Sequence, residues 1–375
     1  MKIIFIVTGL PSINEPARSR FNYKYAKALA DKGHDVEVFY LRSINPKRKL
    51  VRRTSTNNLN VLEFSLTIPF IKISLQSFFF RKLFNFVLRF KKISADVIQG
   101  SGGATAIAAN IVSKRINKPY FIQYIGTDLN YDIKYLINNT SYKNSINECS
   151  HHGFESRALQ DIFTSYFPHL ENNSVLYRGI GDYDYNYRLG YEVQVLFLGG
   201  FPYKNDIKGG ELLLKAIKLL DSKNLSSNVC FNIGGPEVPD LSIFSKSIKN
   251  NKIRINSLGA ISHRQVIQEL QKSNILLIPS RAEGLPNVLW EGLATGNLVI
   301  ANKVGGITEI LSMNDCGYLL NSISSNSISE AIASFINERW IVEDFAFRGR
   351  EVVERFNYKK FINNNISILR RISAK

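Results

Sequence analysis

Glu283 and Glu291 stand on either side of a segment whose residue types can bind an anion. The run over 275–280, Ile-Leu-Leu-Ile-Pro-Ser, predicts a short buried strand. Arg281-Ala-Glu-Gly-Leu-Pro286 then predicts a loop, and 287–295 a helix closed by Gly296. Pro286 suits the first helical turn, where a missing amide hydrogen costs nothing. Free amides at such a helix start favour phosphate. One carboxylate lies in the loop before that start and the other on the second helical turn behind it. Acceptors on both sides of an anion pocket suit a ligand that carries phosphates and hydroxyls together, as a sugar nucleotide does. Two glutamates at this spacing also occur on ordinary surface helices, so the pair alone decides nothing.

The longer string is more specific. Pro279-Ser280, Glu283-Gly-Leu-Pro286, Glu291-Gly-Leu-Ala294, Gly296 and Gly305-Gly306-x-x-Glu309 together resemble the retaining glycosyltransferases of family 4, which have the GT-B fold. The resemblance spans essentially the whole chain, strong in the second half and weak in the first. It implies an α/β protein, GT-B, with two Rossmann-like doubly wound domains facing a central cleft. It implies that Glu283 contacts hydroxyls of the transferred sugar and Glu291 the nucleotide ribose. Amides of Gly284, Leu285, Pro286 and Asn287 would lie over the diphosphate and sugar. Such enzymes carry a Gly-Arg pair after the first strand of the second domain and a Lys-Gly pair further on. Here Lys208-Gly209 is present, but Gly200 stands where the Arg is usual. Fixed cations aimed at a departing diphosphate lower the barrier, so Lys208 is expected to be catalytic and Lys204 is a candidate replacement for the Arg. Either could also be a solvated loop lysine.

Gly305 and Gly306 are expected to let backbone approach the donor, and Glu309 to open a short helix. Gly9, in the loop after strand one, would face the diphosphate, where relatives usually have two glycines. Arg18 and Arg20 lie near that loop. Asp128 follows Gly126 at a strand end, where open α/β sheets bind ligands; it either orients the acceptor or caps a turn. Relatives often place a His just before that Gly, and this chain has Ile125. No protein base is therefore expected; the leaving phosphate would take the acceptor proton on the same face. Arg178-Gly179-Ile180 replaces an Asn-Gly-Ile-Asp found at the domain junction of relatives, so contacts of that Asn and Asp do not carry over. His151-His152 would diverge on any regular element and so make a poor metal pair; a surface or interdomain role is expected. The chain has no His-Glu-x-x-His, paired Cys or Asp-x-Asp. No cofactor or metal is expected, with the nucleotide sugar as substrate.

Elements that would position these residues alternate along the chain. Strands are expected at 3–7, 36–40, 95–99 and 119–124, with helices at 20–32 and 104–116. After an irregular Tyr- and Asp-rich stretch, strands follow at 193–198, 229–233 and 253–258, with helices at 210–220 and 262–272. The tail over 348–371 reads as helical. The expected division is 1–185 for an acceptor-binding domain, 190–347 for a nucleotide-sugar-binding domain, and 348–375 for a helix packing back on the first.

At 375 residues, two domains of ordinary size fit. No apolar run reaches a membrane-spanning length, and the apolar start reads as a first strand rather than a signal peptide. Three widely spaced cysteines, Cys149, Cys230 and Cys316, exclude a disulfide framework and fit a cytoplasmic location. The net charge of +17 is uneven: twelve basic residues and one acid, Glu63, fall between Arg42 and Lys92. Cations interleaved with aromatics over 78–92 suit a helix on an anionic membrane, or an amphipathic core helix with a basic outer face. No recognition motif supports nucleic acid. The reading is a retaining, metal-independent transferase that moves a sugar from a UDP or GDP donor to a glycan or lipid-linked acceptor. It would serve bacterial surface polysaccharide, at the inner face of the membrane. Alternatives are a non-catalytic sugar-nucleotide-binding subunit and a GT-B 2-epimerase.

Overall fold

The computed structural model describes residues 1–11, 20–43, 51–56, 59–66, 82, 84–86, 88–89, 92–126, 128–181, 192–201 and 206–374. The chain divides into two compact units, Met1–Tyr177 with Lys359–Lys375, and Arg178–Tyr358. The sequence pattern places these boundaries at 185/190 and 347/348.

The first unit contains β1 (Lys2–Val7), α1 (Arg20–Asp31), β2 (Asp35–Ser43), β3 (Val51–Thr56), β4 (Leu59–Leu66) and β5 (Val97–Ser101). Then come α2 (Ala106–Ile116), β6 (Tyr120–Tyr124), α3 (Ile133–Leu136), α4 (Thr140–Asn147), β7 (His151–Phe154), α5 (Arg157–Tyr166) and β8 (Asn173–Val175). Its sheet runs β3-β4-β2-β1-β5-β6-β7-β8. Every pairing is parallel except β3 with β4. That antiparallel edge falls inside the basic stretch, where no strand was expected. Its segment Leu59–Leu66 buries Leu62 and Phe64 in the core, which is what makes it a strand.

The described part of 78–92 is helical at 82, 84–86 and 88–89. Phe84 and Leu88 sit in the core, with the Phe84 ring 5.2 Å from that of Phe64. Lys82, Phe86 and Arg89 are exposed. The spacing of four between the two buried residues is that of one helical face. This segment thus has the inner face of a core helix.

The second unit contains β9 (Glu192–Leu198), α6 (Gly210–Leu220), β10 (Asn228–Gly234), α7 (Ser242–Lys246), β11 (Ile253–Gly259), α8 (His263–Lys272), β12 (Ile275–Ile278) and α9 (Asn287–Thr295). It continues with β13 (Leu298–Ala301), α10 (Gly305–Asn314), β14 (Tyr318–Leu319), α11 (Ser325–Asn337) and α12 (Arg339–Arg355). The all-parallel sheet has the order β11-β10-β9-β12-β13-β14. Counted along the unit this is 3-2-1-4-5-6, the doubly wound dinucleotide-fold order. The order reverses between β9 and β12, and ligands of such sheets bind outside the carboxyl ends of the strands at that point. All four residues of β12 are buried, as a central parallel strand requires. Each such aliphatic side chain contributes roughly 1.5–3 kcal/mol.

The tail is not one helix. It breaks at Phe356-Asn357 between α12 and α13 (Tyr358–Ser373). Phe356 and Asn357 leave the helix so that Tyr358 N can donate to Ile180 O at 3.0 Å. Within the first unit, α13 seats Phe361 against Tyr25 and Asn365 against Gln99.

Candidate active site

The carboxyl ends of β9 and β12 carry the cation and the first carboxylate. After β12, Ser280 turns the chain into the loop that holds Glu283. Ser280 Oγ donates to Glu283 Oε1 at 2.7 Å, and Lys208 Nζ donates to the same oxygen at 2.6 Å. The Glu283 side chain is 10% exposed and that of Lys208 is 43% exposed. A carboxylate this buried must have donors, and it takes them from two different strand ends.

Main-chain contacts fix the two loops together. Arg281 N donates to Ile207 O at 2.7 Å, and Arg281 Nε to Asp206 O at 3.1 Å. Asp206 in turn accepts from Glu211 N at 3.1 Å, which satisfies an amide in the first turn of α6. Gly209 has φ +79, and a Cβ there would lie 2.2 Å from Pro279 O. Only glycine permits that approach, so the Lys208 loop can lie directly on the strand end that leads to Glu283.

Gly305 and Gly306 serve the same loop. A Cβ on Gly305, at φ +49, would meet Glu283 O at 2.0 Å, and Gly306 N donates to Gly284 O at 2.6 Å. The two glycines thus bring the start of α10 against the Glu283–Gly284 backbone. Asn302 adds a further tie, donating from Nδ2 to Ser280 O at 3.0 Å. Glu309, expected to open a helix, lies half-buried in the second turn of α10, which starts four residues earlier.

Glu291 sits on the second turn of α9, among Leu289, Trp290, Leu293 and Ala294, all buried. Its Oε1 is 2.8 Å from His263 Nε2. Pro286 is the N-cap of α9, at φ −71 and ψ 141, one position earlier than expected; the extended ψ keeps it outside the helix. Asn287 Oδ1 accepts from Arg178 Nη1 at 2.8 Å. Leu285 is buried and Gly284 partly so. Gly200 is partly buried just after β9. Lys204 lies outside the described residues, as does Arg18.

In the first unit, Gly9 is buried and its carbonyl accepts from Asn22 Nδ2 at 2.9 Å; Arg20 is exposed at the start of α1. Asp128 is buried in a π-helical turn, Asp128–Asp132. Its carboxylate accepts from the amides of Gly103 and Gly126, both at 2.8 Å, of Leu129 at 3.1 Å and of Ile125 at 3.3 Å. Burial raises its pKa while these amides oppose the rise. With both oxygens held by main-chain donors, Asp128 caps this loop.

His151 and His152 are not at the surface. Both are buried on β7, with His151 Nε2 2.9 Å from Ser174 Oγ and His152 Nδ1 3.3 Å from Tyr124 Oη. Burial, reinforced by Arg371, lowers the His151 pKa to about 4. Burial, with His151 adding, lowers that of His152 to about 3. Among the described residues no group of three or more His, Cys, Asp or Glu could hold a metal ion, and no helix is long and apolar enough to cross a membrane.

Sequence reasoning missed His263 and left Ser280 without a role. Ser280, three residues before Glu283, was within reach of a local reading; His263, 28 positions from Glu291, was not.

Residues 190–352, the unit that holds Lys208, Glu283 and Glu291, match the family model of glycosyl transferases group 1. This chain is a glycosyltransferase whose second unit matches group 1. The transferase is 28% identical over 271 residues, 72% of its length, to an uncharacterised glycosyltransferase of Methanocaldococcus jannaschii, of which the match covers 67%. It is 29% identical over 177 residues to a 41.2 kDa protein in the cps region of Klebsiella pneumoniae, covering 47% of this chain and 46% of that one. Sucrose-phosphate synthase from Thermosynechococcus elongatus superposes with a TM-score of 0.76 at 18% identity, over 100% of both chains. Anabaena HepE in complex with UDP superposes with a TM-score of 0.69 at 16% identity, over 99% of this chain and 100% of that one. The fold of the transferase is GT-B, two Rossmann-like domains.

Proposed function

We propose that the transferase moves a sugar, with retention of anomeric configuration, from a UDP- or GDP-linked donor to a glycan or lipid-linked acceptor in surface polysaccharide assembly. The observation that carries this reading is the Lys208–Glu283–Ser280 cluster, set at the reversal point of a 3-2-1-4-5-6 sheet with Glu291 on the next helix. Support for the pathway comes from the relative encoded in a cps region, and for the nucleotide from the UDP complex of HepE.

In this reading Lys208 neutralises the diphosphate as it leaves, and Glu283 holds hydroxyls of the transferred sugar. Cations placed before the reaction cost no reorganisation during it. Amides of Gly284, Leu285 and Asn287 contribute donors at the start of α9. Glu291 binds the ribose. Gly200, just after β9, borders the diphosphate. The acceptor loses its proton to the leaving phosphate, so the protein supplies no base and no metal is required. The basic stretch 42–92 would bring the transferase to the inner face of an anionic membrane, where a lipid-linked acceptor resides.

The test is a screen of UDP and GDP sugars for nucleotide release, with and without lipid-linked and oligosaccharide acceptors, each run with and without a chelator. Release of UDP or GDP that rises with one acceptor, and a product with the donor's anomeric configuration, are expected. Inverted product, loss of activity in chelator, or an epimerised donor formed without acceptor would each overturn the corresponding part.

A further inference from the structure

The carboxylate of Glu291 has one side-chain partner among the described residues, His263, whose Nε2 is 2.8 Å from Oε1. The Glu291 side chain is 9% exposed and that of His263 27%. A carboxylate accepts and does not donate, so the ring hydrogen lies on Nε2. This leaves Oε2 for a ligand. A carboxylate with one oxygen anchored is pre-oriented for whatever meets the other, and orientation fixed before binding is not charged against affinity.

The imidazole is itself held. His263 is the first residue of α8, and a capping box secures that helix start. Ser262 Oγ accepts from Gln265 N at 3.4 Å, and Gln265 Oε1 accepts from Ser262 N at 2.8 Å. Such reciprocal caps fix the chain's entry angle into a helix. The helix α8 packs against α9, so a rigid helix start points the ring at a rigid second turn.

We infer that His263 is a positioning residue that aims Glu291 at the ribose hydroxyls of the donor nucleotide. It acts through Glu291 and does not itself touch the sugar. The inference rests on the reading of Glu291 as the ribose carboxylate given above. A hydrogen bond that serves ground state and transition state alike changes donor KM and leaves kcat alone.

The experiment is calorimetric titration of the full-length chain with UDP and GDP and with their 2′,3′-dideoxy counterparts, alongside donor kinetics. The variants are His263→Ala, His263→Gln, Glu291→Ala and the double variant. His263→Ala should weaken binding of the ribonucleotide, and raise donor KM, by about five- to tenfold, the size of one lost hydrogen bond. It should leave kcat unchanged and erase the preference over the dideoxy nucleotide. His263→Gln restores an N–H donor and should recover most of the loss. The double variant should bind no more weakly than Glu291→Ala alone, since residues acting in series are not additive. If Glu291→Ala weakens binding but His263→Ala does not, or if the two losses simply add, the positioning role is wrong and the ribose reading stands. If Glu291→Ala binds normally, or the unaltered chain binds neither nucleotide, the ribose reading fails and takes this inference with it.

Discussion

A single oxygen, Glu283 Oε1, receives both Lys208 Nζ and Ser280 Oγ. Removing either donor leaves the other, so the carboxylate keeps its place when Lys208 is lost. We therefore expect Lys208→Ala to fold normally, with an unchanged melting temperature, and to lower kcat by about 10²-fold, in the range for loss of one pre-placed charge. Nucleotide-release assays and thermal melts check this together; a fall in stability matching the fall in rate would assign Lys208 a structural role. Elsewhere, charge is kept out. His151 and His152 hold pKa values of about 4 and about 3 where an unfolded chain would show the ordinary value. With the folded pKa depressed, the unfolded state binds more protons as pH falls, so stability is lost below the ordinary histidine range and the loss continues down to the folded values. At pH 5 each ring would cost up to about 2 kcal/mol relative to pH 7.5. Circular dichroism melts across that interval should show the decline, and His152→Phe should flatten it. A flat profile in the unaltered chain would contradict the burial.

At the scale of elements, the site is a junction of loops that follow strand ends. The β9–α6 loop brings Lys208, the β12–α9 loop brings Glu283, and the start of α10 brings Gly305. Two glycines let these backbones touch, Gly209 against Pro279 and Gly305 against Glu283. At Gly305 a side chain is penalised twice, by its positive φ and by overlap with a carbonyl. Gly305→Ala should lower stability by about 2 kcal/mol or more and displace the Glu283 loop. The expected kinetic result is a loss of kcat as large as that of Glu283→Ala, measured in the same assay. A variant with full activity would show that the Glu283 loop does not depend on that contact.

For the whole molecule, the chain passes from one unit to the other near Tyr177 and returns near Tyr358. The last 17 residues therefore complete, with a helix, a unit whose sheet lies entirely before Tyr177. Phe361, Ile362, Ile366 and Leu369 of α13 are buried there. At roughly 1.5–3 kcal/mol each they contribute about 6–12 kcal/mol, comparable with the whole stability of a typical domain. Ending the chain after Tyr358 should abolish the folded first unit, while the core of the second, built around Val195, Leu277 and Ile300, is kept. Limited proteolysis should then degrade 1–177 and leave a fragment starting near 178. Survival of both units would mean that α13 is dispensable.

The sequence by itself determined the punctuation of the chain. Local pattern marked α9 with its bounds, 287–295, and placed Glu283 and Glu291 on either side of its start, because glycines, a proline and an apolar run act over a few neighbours. It likewise marked Lys208 as a cation in a strand-end loop. It left open what each charged group touches. Lys208 meets Glu283 across 75 positions and His263 meets Glu291 across 28. Those meetings follow from strand order, which spacing along the chain does not encode. Asp128 was legible as a residue at a strand end, yet only the folded loop brought four amides to its carboxylate. The His151-His152 pair was legible as a poor metal pair with a surface or interdomain role; burial against Phe121, Tyr124 and Phe163 was decided by the sheet around it. Short-range propensity wrote the elements, and the long-range hydrogen bonds and burial that arrange a site exist only once the sheets have formed.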